Sequence, residues 1–274
     1  MEKKAILLVT FGTSVNQATA AFKKFEDKVR AAFPGIELRW AYTAKSIRGV
    51  LAKKGTVIDS PITALAKLQD EGYTRVAVQS VHILPGQEYY DLVNVVDNMS
   101  HLQGSSGKHF QTKIGKFGFH QLTLGTPLLY HQADYQEVVK CLRDIVPGDP
   151  QHALVLAGHG SGHHTFSAYG CLNDMLRQNY QNVFLGTIEG YPSLDDVKAD
   201  LARKDYKQVT LIPFMNIAGD HAINDLAGDE PDSWQNELAQ NYQVITILKG
   251  LLEYDNIAEI YICHIRQAYN KLDS

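Results

Sequence analysis

The stretch that decides the fold runs from Ala153 to His164 and reads ALVLAGHGSGHH. Its first five residues are apolar without alternation, which is typical of a strand covered on both faces in a parallel sheet. His159 follows at the carboxyl end of that strand, the edge where ligands bind in open α/β sheets. The flanking Gly158 and Gly160 allow positive φ and close approach of a ligand. A tight turn is an equal alternative for a lone Gly-His-Gly motif, so the rest of the chain has to decide.

Composition narrows the class of protein. The chain has 274 residues, of which 45% are hydrophobic and 20% charged, so it is long enough for one large or two ordinary α/β domains. A net charge of −4 gives no basic field, and we therefore expect no nucleic-acid partner. The apolar run that follows Lys4 is too short for a signal peptide and no other segment could span a bilayer, which predicts a cytoplasmic protein without a membrane partner.

The three cysteines, Cys141, Cys171 and Cys263, are far apart and form no Cys-x-x-Cys pair. This spacing indicates neither a disulfide framework nor a thiolate metal site. We interpret them as small, reduced core residues.

Strand and helix patterns alternate along the first half. The apolar face of the first helix ends at Pro34-Gly35, and Pro61 opens the next helix. Such alternation predicts a doubly wound α/β fold with parallel sheets and helices on both faces. Ser100–Lys108, rich in glycine and serine, is predicted to be a flexible loop. The segments predicted as strands are 5–10, 37–43, 75–80 and 113–119, and a helix is predicted at 134–145.

The second half of the chain repeats the first. Residues 73–88 (YTRVAVQSVHILPGQE) match residues 206–221 (YKQVTLIPFMNIAGDH) at a constant offset of 133, since 206 − 73 = 133, and this sets Glu88 opposite His221. LLVTFGTS near the start likewise resembles LVLAGHGS in the second half, and we place Phe11 opposite His159. Two similar lobes predict a cleft between their strand ends, at which the differing residues fall.

The sharp break Pro147-Gly148-Asp149-Pro150 marks the predicted boundary between the two halves. It divides the chain into an N-terminal α/β lobe, residues 1–148, and a C-terminal α/β lobe, residues 149–274. The histidine-rich motifs lie in the second lobe.

Three strand ends of the second lobe are predicted to carry His159, Glu189 and His221. Two imidazoles and a carboxylate suit a divalent first-row metal, and the absence of thiolate argues against a closed structural zinc site. Each residue also has a simpler interpretation: a loop histidine is usually a surface residue, and Glu189 could cap a helix opened by Pro192. Three such residues at one edge favour a metal site.

Neighbouring residues leave further alternatives. His163 and His164 could donate hydrogen bonds near the metal, contact it, or simply be exposed. Ser161 invites a serine-hydrolase hypothesis, but its surroundings do not match the Gly-x-Ser-x-Gly pattern. The glycine-rich turns lack the lysine and spacing of a P-loop, so no nucleotide is predicted.

The motifs AVQSVHILPGQEY, GHGSGHHTFSAY, TIEGYP and AGDHAINDLAGDEPDSW, together with FGTS near the start, resemble the class II chelatases, specifically the anaerobic cobalamin-pathway cobalt chelatases that act on sirohydrochlorin. The resemblance runs from the N-terminus to the final helix. It implies two flavodoxin-like lobes with an active-site cleft between them. It also implies that His159 and His221 hold the incoming metal, that Glu189 is the acid of the metal site, and that Glu88 is an active-site acid of the other lobe.

The resemblance further implies ATP-independent insertion of Co(II) into sirohydrochlorin in cobalamin (vitamin B12) biosynthesis, with Co(II) as a substrate and no nucleotide or redox cofactor. His159, His221 or Glu88 could accept the pyrrole protons, although Glu88 could equally be a helix N-terminal residue favoured by the helix dipole. The alternatives are insertion of iron or nickel, and a non-catalytic metal or tetrapyrrole carrier. Oligomeric state, and haem binding near His101 as in some periplasmic relatives, are left open.

Overall fold

The computed structural model describes residues 2–102 and 118–274, and two four-stranded parallel sheets organise them. The strands of the first sheet are β1 (Lys3–Thr10), β2 (Glu37–Tyr42), β3 (Tyr73–Ser80) and β4 (Gln121–Gly125). Their spatial order is β2-β1-β3-β4. The strands of the second sheet are β5 (His152–Gly160), β6 (Val183–Glu189), β7 (Gln208–Phe214) and β8 (Gln243–Thr246). Their order, β6-β5-β7-β8, repeats the first connectivity, and the prediction of two α/β lobes with parallel sheets is confirmed.

Helices connect these strands. Helix α1 (Asn16–Ala32) ends one residue before Phe33, where Pro34 and a left-handed Gly35 (φ +76°) prevent continuation. Helix α3 (Pro61–Asp70) starts with Pro61 after Ser60, whose hydroxyl accepts a hydrogen bond from the Thr63 N–H at 3.2 Å. The helices are α1 (Asn16–Ala32), α2 (Lys45–Lys53), α3 (Pro61–Asp70), α4 (Gln87–Ser100), α5 (Gln132–Cys141), α6 (Ser167–Asn179), α7 (Leu194–Leu201), α8 (Trp234–Ala239) and α9 (Asp255–Asn270).

Strands β1 and β5, each an interior strand of its sheet, are buried throughout their apolar runs. In β1 this run is Ala5–Val9, and in β5 it is Ala153–Ala157, where every residue is at most 1% exposed. Each sheet has its own hydrophobic core, with α3 and α4 packed on the first and α7 and α8 on the second. The unbroken apolar run of β5 therefore has the physical cause inferred from the sequence, burial on both faces.

Several predicted boundaries shift. The strand predicted at 113–119 lies mostly outside the described residues, as does most of the predicted flexible loop, and the fourth strand of the first sheet is β4. The helix predicted at 134–145 is α5 followed by a 3₁₀ turn, Leu142–Ile145. Pro192 does not open a helix: α7 starts at Leu194, capped by the Ser193 hydroxyl.

Strand register fixes how the two halves correspond. Ala5 pairs with Val76 across β1 and β3, and Ala153 pairs with Val209 across β5 and β7. Val76 and Val209 are related by the offset of 133, so Ala5 and Ala153 are equivalent and the offset of the central strands is 153 − 5 = 148. Phe11 is therefore opposite His159, since 159 − 11 = 148. Aligning the two segments letter by letter from Leu7 and Leu154 gives an offset of 154 − 7 = 147 instead, which would set Phe11 opposite Gly158.

Contacts divide the chain into two compact units. Unit 1 comprises residues 1–14, 27–128 and 261–274, and unit 2 comprises residues 15–26 and 129–260. The predicted sequence boundary after Gly148 and the predicted cleft between the lobes stay predictions.

The cysteines are free, as predicted, but their placement in the core is wrong for two of them. Cys171 and Cys263 are exposed and Cys141 is partly buried. Helix α6 shows the reason, because Ala168, Leu172 and Leu176 form its buried face and Cys171 lies off that face. Within the described residues, no helix combines the length and apolar character that crossing a membrane requires.

Candidate functional site

His159 is the second-last residue of β5, where the sequence predicted it. The glycine before it has a packing role, because a Cβ at Gly158 would lie 2.6 Å from the ring of Tyr169. Tyr169 is 2% exposed, and burial raises its pKa to about 12. The space left by Gly158 is thus filled by a neutral, buried tyrosine rather than by a ligand.

Gly160 has a different requirement. Its φ is +97°, and a Cβ there would lie only 1.7 Å from the carbonyl oxygen of Glu189. In the first sheet, the equivalent Gly12 has φ +99°. Only glycine both adopts this backbone conformation readily and lets β5 stay paired with the end of β6.

His221 does not lie at a strand end. It follows the connection 215–220 after β7 and immediately precedes a π-helical turn, Ala222–Leu226. Its Nδ1 lies 2.6 Å from Oδ2 of Asp225, four residues on. π-Helical turns occur frequently at functional sites.

The two histidines meet. Their Nε2 atoms are 3.1 Å apart, and their rings are nearly perpendicular at 89°. At metal–nitrogen distances of roughly 2.0–2.1 Å, neighbouring imidazole ligands of one ion have their nitrogens about 2.9 Å apart at a right angle and about 3.4 Å apart in a tetrahedron. The observed separation fits two ligands of a single ion.

Hydrogen bonds at the opposite ring nitrogens leave both Nε2 atoms free to coordinate. His221 Nδ1–H donates to the Asp225 carboxylate, and His159 Nδ1–H donates to the Gly160 carbonyl oxygen at 3.3 Å. Because these partners accept, the network assigns the Nδ1–H tautomer to both neutral rings. Two lone pairs then face each other, an arrangement that a shared cation stabilises.

Glu189 is the last residue of β6 and is exposed. It is paired with Gly160 rather than with His159. Because successive residues of a strand alternate between the two faces of the sheet, the Cβ of Glu189 lies on the face opposite to that of His159. Among residues 2–102 and 118–274, no group of three or more His, Cys, Asp or Glu side chains is close enough to hold a metal ion. The three-ligand site therefore stays a prediction, whereas the capping alternative for Glu189 is wrong because Ser193 caps α7.

The other residues of the GHGSGHH motif have local partners. Ser161 Oγ accepts a hydrogen bond from the His163 N–H at 3.1 Å, as a turn residue does. His163 Nδ1 accepts from the Thr165 N–H at 3.4 Å, which places the proton of the neutral ring on Nε2 and makes that nitrogen a donor rather than a ligand. His164 is exposed.

In unit 1, Glu88 lies in the first turn of α4, so the helix N-terminal interpretation describes its position. Its Oε2 is also 3.1 Å from Nε2 of His82, a residue just after β3. His82 Nδ1 is in turn 2.9 Å from Oγ of Ser80. Glu88 thus faces a histidine that the sequence analysis did not single out.

Comparison with known proteins decides the family. A family model described as cobalt chelatase (CbiK) matches residues 4–270. The chain belongs to this family. Curated members include the sirohydrochlorin cobaltochelatase CbiKC of Nitratidesulfovibrio vulgaris strain Hildenborough, 36% identical over all of this chain and 93% of the relative. The sirohydrochlorin cobaltochelatase of Salmonella typhimurium is also 36% identical, over 98% of this chain and 97% of the relative.

Solved structures agree on the fold of this cobalt chelatase family member. SirB from Bacillus subtilis, determined with Fe³⁺, has a TM-score of 0.64 and 16% identity, covering 98% of this chain and 97% of SirB. CbiX, described as the terminal enzyme of siroheme biosynthesis in denitrifying bacteria, has a TM-score of 0.55 and 15% identity, covering 96% and 99%. The predicted membership of the class II chelatases, which are enzymes, is confirmed by the family and the curated relatives.

Two residues of this cobalt chelatase that contact predicted site residues were missed by the sequence analysis: Asp225 contacts His221, and His82 contacts Glu88. Asp225 stands four residues after His221 in HAIND, a spacing that brings side chains together on a helix. His82 is the second residue after β3, at the ligand-binding edge of a parallel sheet. Both signals are weak in isolation, because neither residue is part of a recognised metal-binding spacing.

Proposed function

We propose that this protein inserts Co(II) into sirohydrochlorin, without ATP, as a cytoplasmic step of anaerobic cobalamin biosynthesis. The observation that carries the proposal is the pair of free Nε2 atoms, 3.1 Å apart, in a chain of the cobalt chelatase family. The reaction exchanges one Co²⁺ for two pyrrole protons. It changes no oxidation state and transfers no phosphoryl group, so neither a redox cofactor nor a nucleotide is needed.

His159 and His221 hold the incoming Co(II) through Nε2. Two neutral imidazoles leave other coordination positions of the ion occupied by water. The pyrrole nitrogens of sirohydrochlorin displace this water. Asp225 orients His221 and holds its ring in the tautomer whose Nε2 carries the lone pair. Glu189 is the proposed third ligand. It is paired with Gly160 across β5 and β6, and rotation of its exposed side chain brings the carboxylate to the ion.

Removal of the pyrrole protons requires a base, and we assign it to Glu88. Its side chain is 36% exposed, so it remains accessible to a substrate while contacting His82. Exposed aromatic side chains occur in segments that follow strands in the chain, in both units: Phe11 after β1 and Tyr90 in α4 in unit 1, and Phe166 after β5 and Tyr191 after β6 in unit 2. Such rings suit a flat, conjugated macrocycle.

An anaerobic insertion assay on the purified protein tests the function. Sirohydrochlorin absorbance is followed with Co(II), Fe(II) and Ni(II) offered separately, each against the rate without protein. We expect the largest acceleration with Co(II). Acceleration only with iron or nickel would support those alternatives, and binding without acceleration would support a carrier.

The Asp225–His221 contact gives a first prediction. Asp225→Asn should weaken Co(II) binding about tenfold, because an amide does not fix the ligating tautomer of His221 as a carboxylate does. Asp220→Asn is the matched control, since it removes the same charge from the residue next to His221. Titration calorimetry checks both variants, and equal affinities would contradict the orienting role.

Glu189→Gln removes an anionic ligand but keeps the shape of the side chain. We expect lower Co(II) affinity and slower turnover, each by about tenfold, because carboxylate charge contributes directly to holding a divalent ion. Calorimetry and the insertion assay measure the two effects. Unchanged Co(II) affinity would remove Glu189 from the ligand set.

Glu88→Gln tests the proton acceptor. A base alters the rate and its pH dependence without altering metal affinity, so the variant should bind Co(II) normally and turn over at least about tenfold more slowly, a loss of about 1.4 kcal/mol of transition-state stabilisation. Asp91→Asn, an exposed change on the same helix, is the control. Full turnover with an unchanged pH profile would return the role to His159, His221 or solvent.

A further inference from the structure

His82 is fixed in place more firmly than its loop position requires. Its carbonyl oxygen accepts hydrogen bonds from the Leu128 N–H at 3.0 Å and from the Tyr261 hydroxyl at 2.9 Å. Its Nδ1 is 2.9 Å from the hydroxyl of Ser80, which is fully buried. These contacts hold the backbone and one edge of the ring, so the orientation of Nε2 is determined before any substrate binds.

Nε2 of His82 lies close to Glu88 and has no hydrogen-bond partner within the described residues. It is 3.1 Å from Glu88 Oε2 without forming a hydrogen bond to it, and the His82 side chain is 11% exposed. A buried polar atom without a hydrogen bond is costly, and such atoms are rare in native structures. A small rotation of the partly exposed Glu88 carboxylate would satisfy this atom.

We propose that His82 is a positioning residue for Glu88 in metal insertion, an inference that rests on the proposed role of Glu88. Ser80 Oγ–H donates to Nδ1, which places the proton of the neutral ring on Nε2. Nε2–H then holds Oε2 of the ionised carboxylate and leaves Oε1 free. When a pyrrole proton passes to Oε1, the nitrogen lone pair left behind binds cobalt, and the proton later leaves to water.

A matched pair of amide variants separates the two edges of the ring. His82→Asn keeps a polar group near Nδ1 for Ser80 and lacks one at Nε2, whereas His82→Gln keeps one near Nε2 and lacks one at Nδ1. We expect His82→Asn to lower kcat about tenfold and shift its pH profile, with KM for sirohydrochlorin unchanged. His82→Gln should stay within about threefold of the unsubstituted protein. His120→Asn, also in unit 1, is the control.

A double-mutant cycle tests whether His82 acts through Glu88. In a Glu88→Gln background, His82→Asn should change kcat by less than about twofold, because the carboxylate that it positions is gone. An equal loss of kcat in both backgrounds would overturn the inference. So would equal losses for His82→Asn and His82→Gln, or a fall in melting temperature that accounts for either loss.

The unsubstituted protein separates this inference from the proposed function. If that protein does not accelerate cobalt insertion, the proposed function fails. If it does, and Glu88→Gln is slow while His82→Asn is not, only the positioning role of His82 fails.

Discussion

Replacing His159 or His221 by alanine is expected to lower the rate of Co(II) insertion about a hundredfold or more, equivalent to about 2.7 kcal/mol of lost transition-state stabilisation. Each variant removes one of two Nε2 atoms that are 3.1 Å apart, and a single imidazole holds a divalent ion far more weakly than a pair. Neither ring belongs to a hydrophobic core, so the melting temperature should be nearly unchanged. The insertion assay, calorimetry with Co(II) and thermal unfolding measure these quantities.

His120→Ala provides the control for removing a histidine from this protein, because His120 is exposed and its ring nitrogen contacts the carboxylate of Glu2. It should retain full activity. A large fall in melting temperature for His159→Ala or His221→Ala would identify these residues as structural. Unchanged Co(II) affinity in either variant would show that the pair does not bind the metal.

Gly160→Ala is expected to destabilise the protein by about 2–4 kcal/mol, the second large effect. Alanine at φ +97° is strained, and its Cβ would lie 1.7 Å from the Glu189 carbonyl oxygen, so β5 and β6 must separate at their paired ends. Thermal unfolding should show a melting temperature lower by about 5–15 °C. Insertion activity should fall as well, because His159 and Glu189 flank the displaced backbone.

Gly162→Ala is a closely matched control. It lies two residues away in the same motif, has no positive φ, and its added Cβ would meet no atom within 4 Å. Its stability should stay within about 0.5 kcal/mol of the unsubstituted protein. If the two alanine variants unfold at the same temperature, the close approach of the Glu189 backbone to Gly160 does not make alanine destabilising there.

The candidate site shows which kinds of residue sequence can predict. His159, His221 and Glu88 were identified because imidazole and carboxylate side chains are the ligands and bases that metal insertion needs, and because the internal repeat related their positions. His82 and Asp225 were not identified, since each contributes through one specific contact. His82 contacts Glu88, and Asp225 contacts His221. Such pairings depend on backbone geometry that residue type alone does not define.

The two glycines beside His159 make the same point. The sequence suggested that both leave room for a ligand. Gly158 instead makes room for the ring of Tyr169, and Gly160 for the backbone of Glu189. In both cases the neighbour that excludes a side chain comes from another element of the second lobe.

By itself the sequence determined that the chain forms two α/β lobes, because a short apolar run bounded by glycine-rich turns is typical of a strand covered on both faces, and because the two halves of the chain share one pattern. It also determined which residue types carry the chemistry. Only the tertiary structure decided that the histidine rings meet at Nε2, that Glu189 is in register with Gly160, and that a shift of one residue relates Phe11 to His159. The physical reason is that register and ring orientation are set by hydrogen bonds and packing between segments distant in the chain.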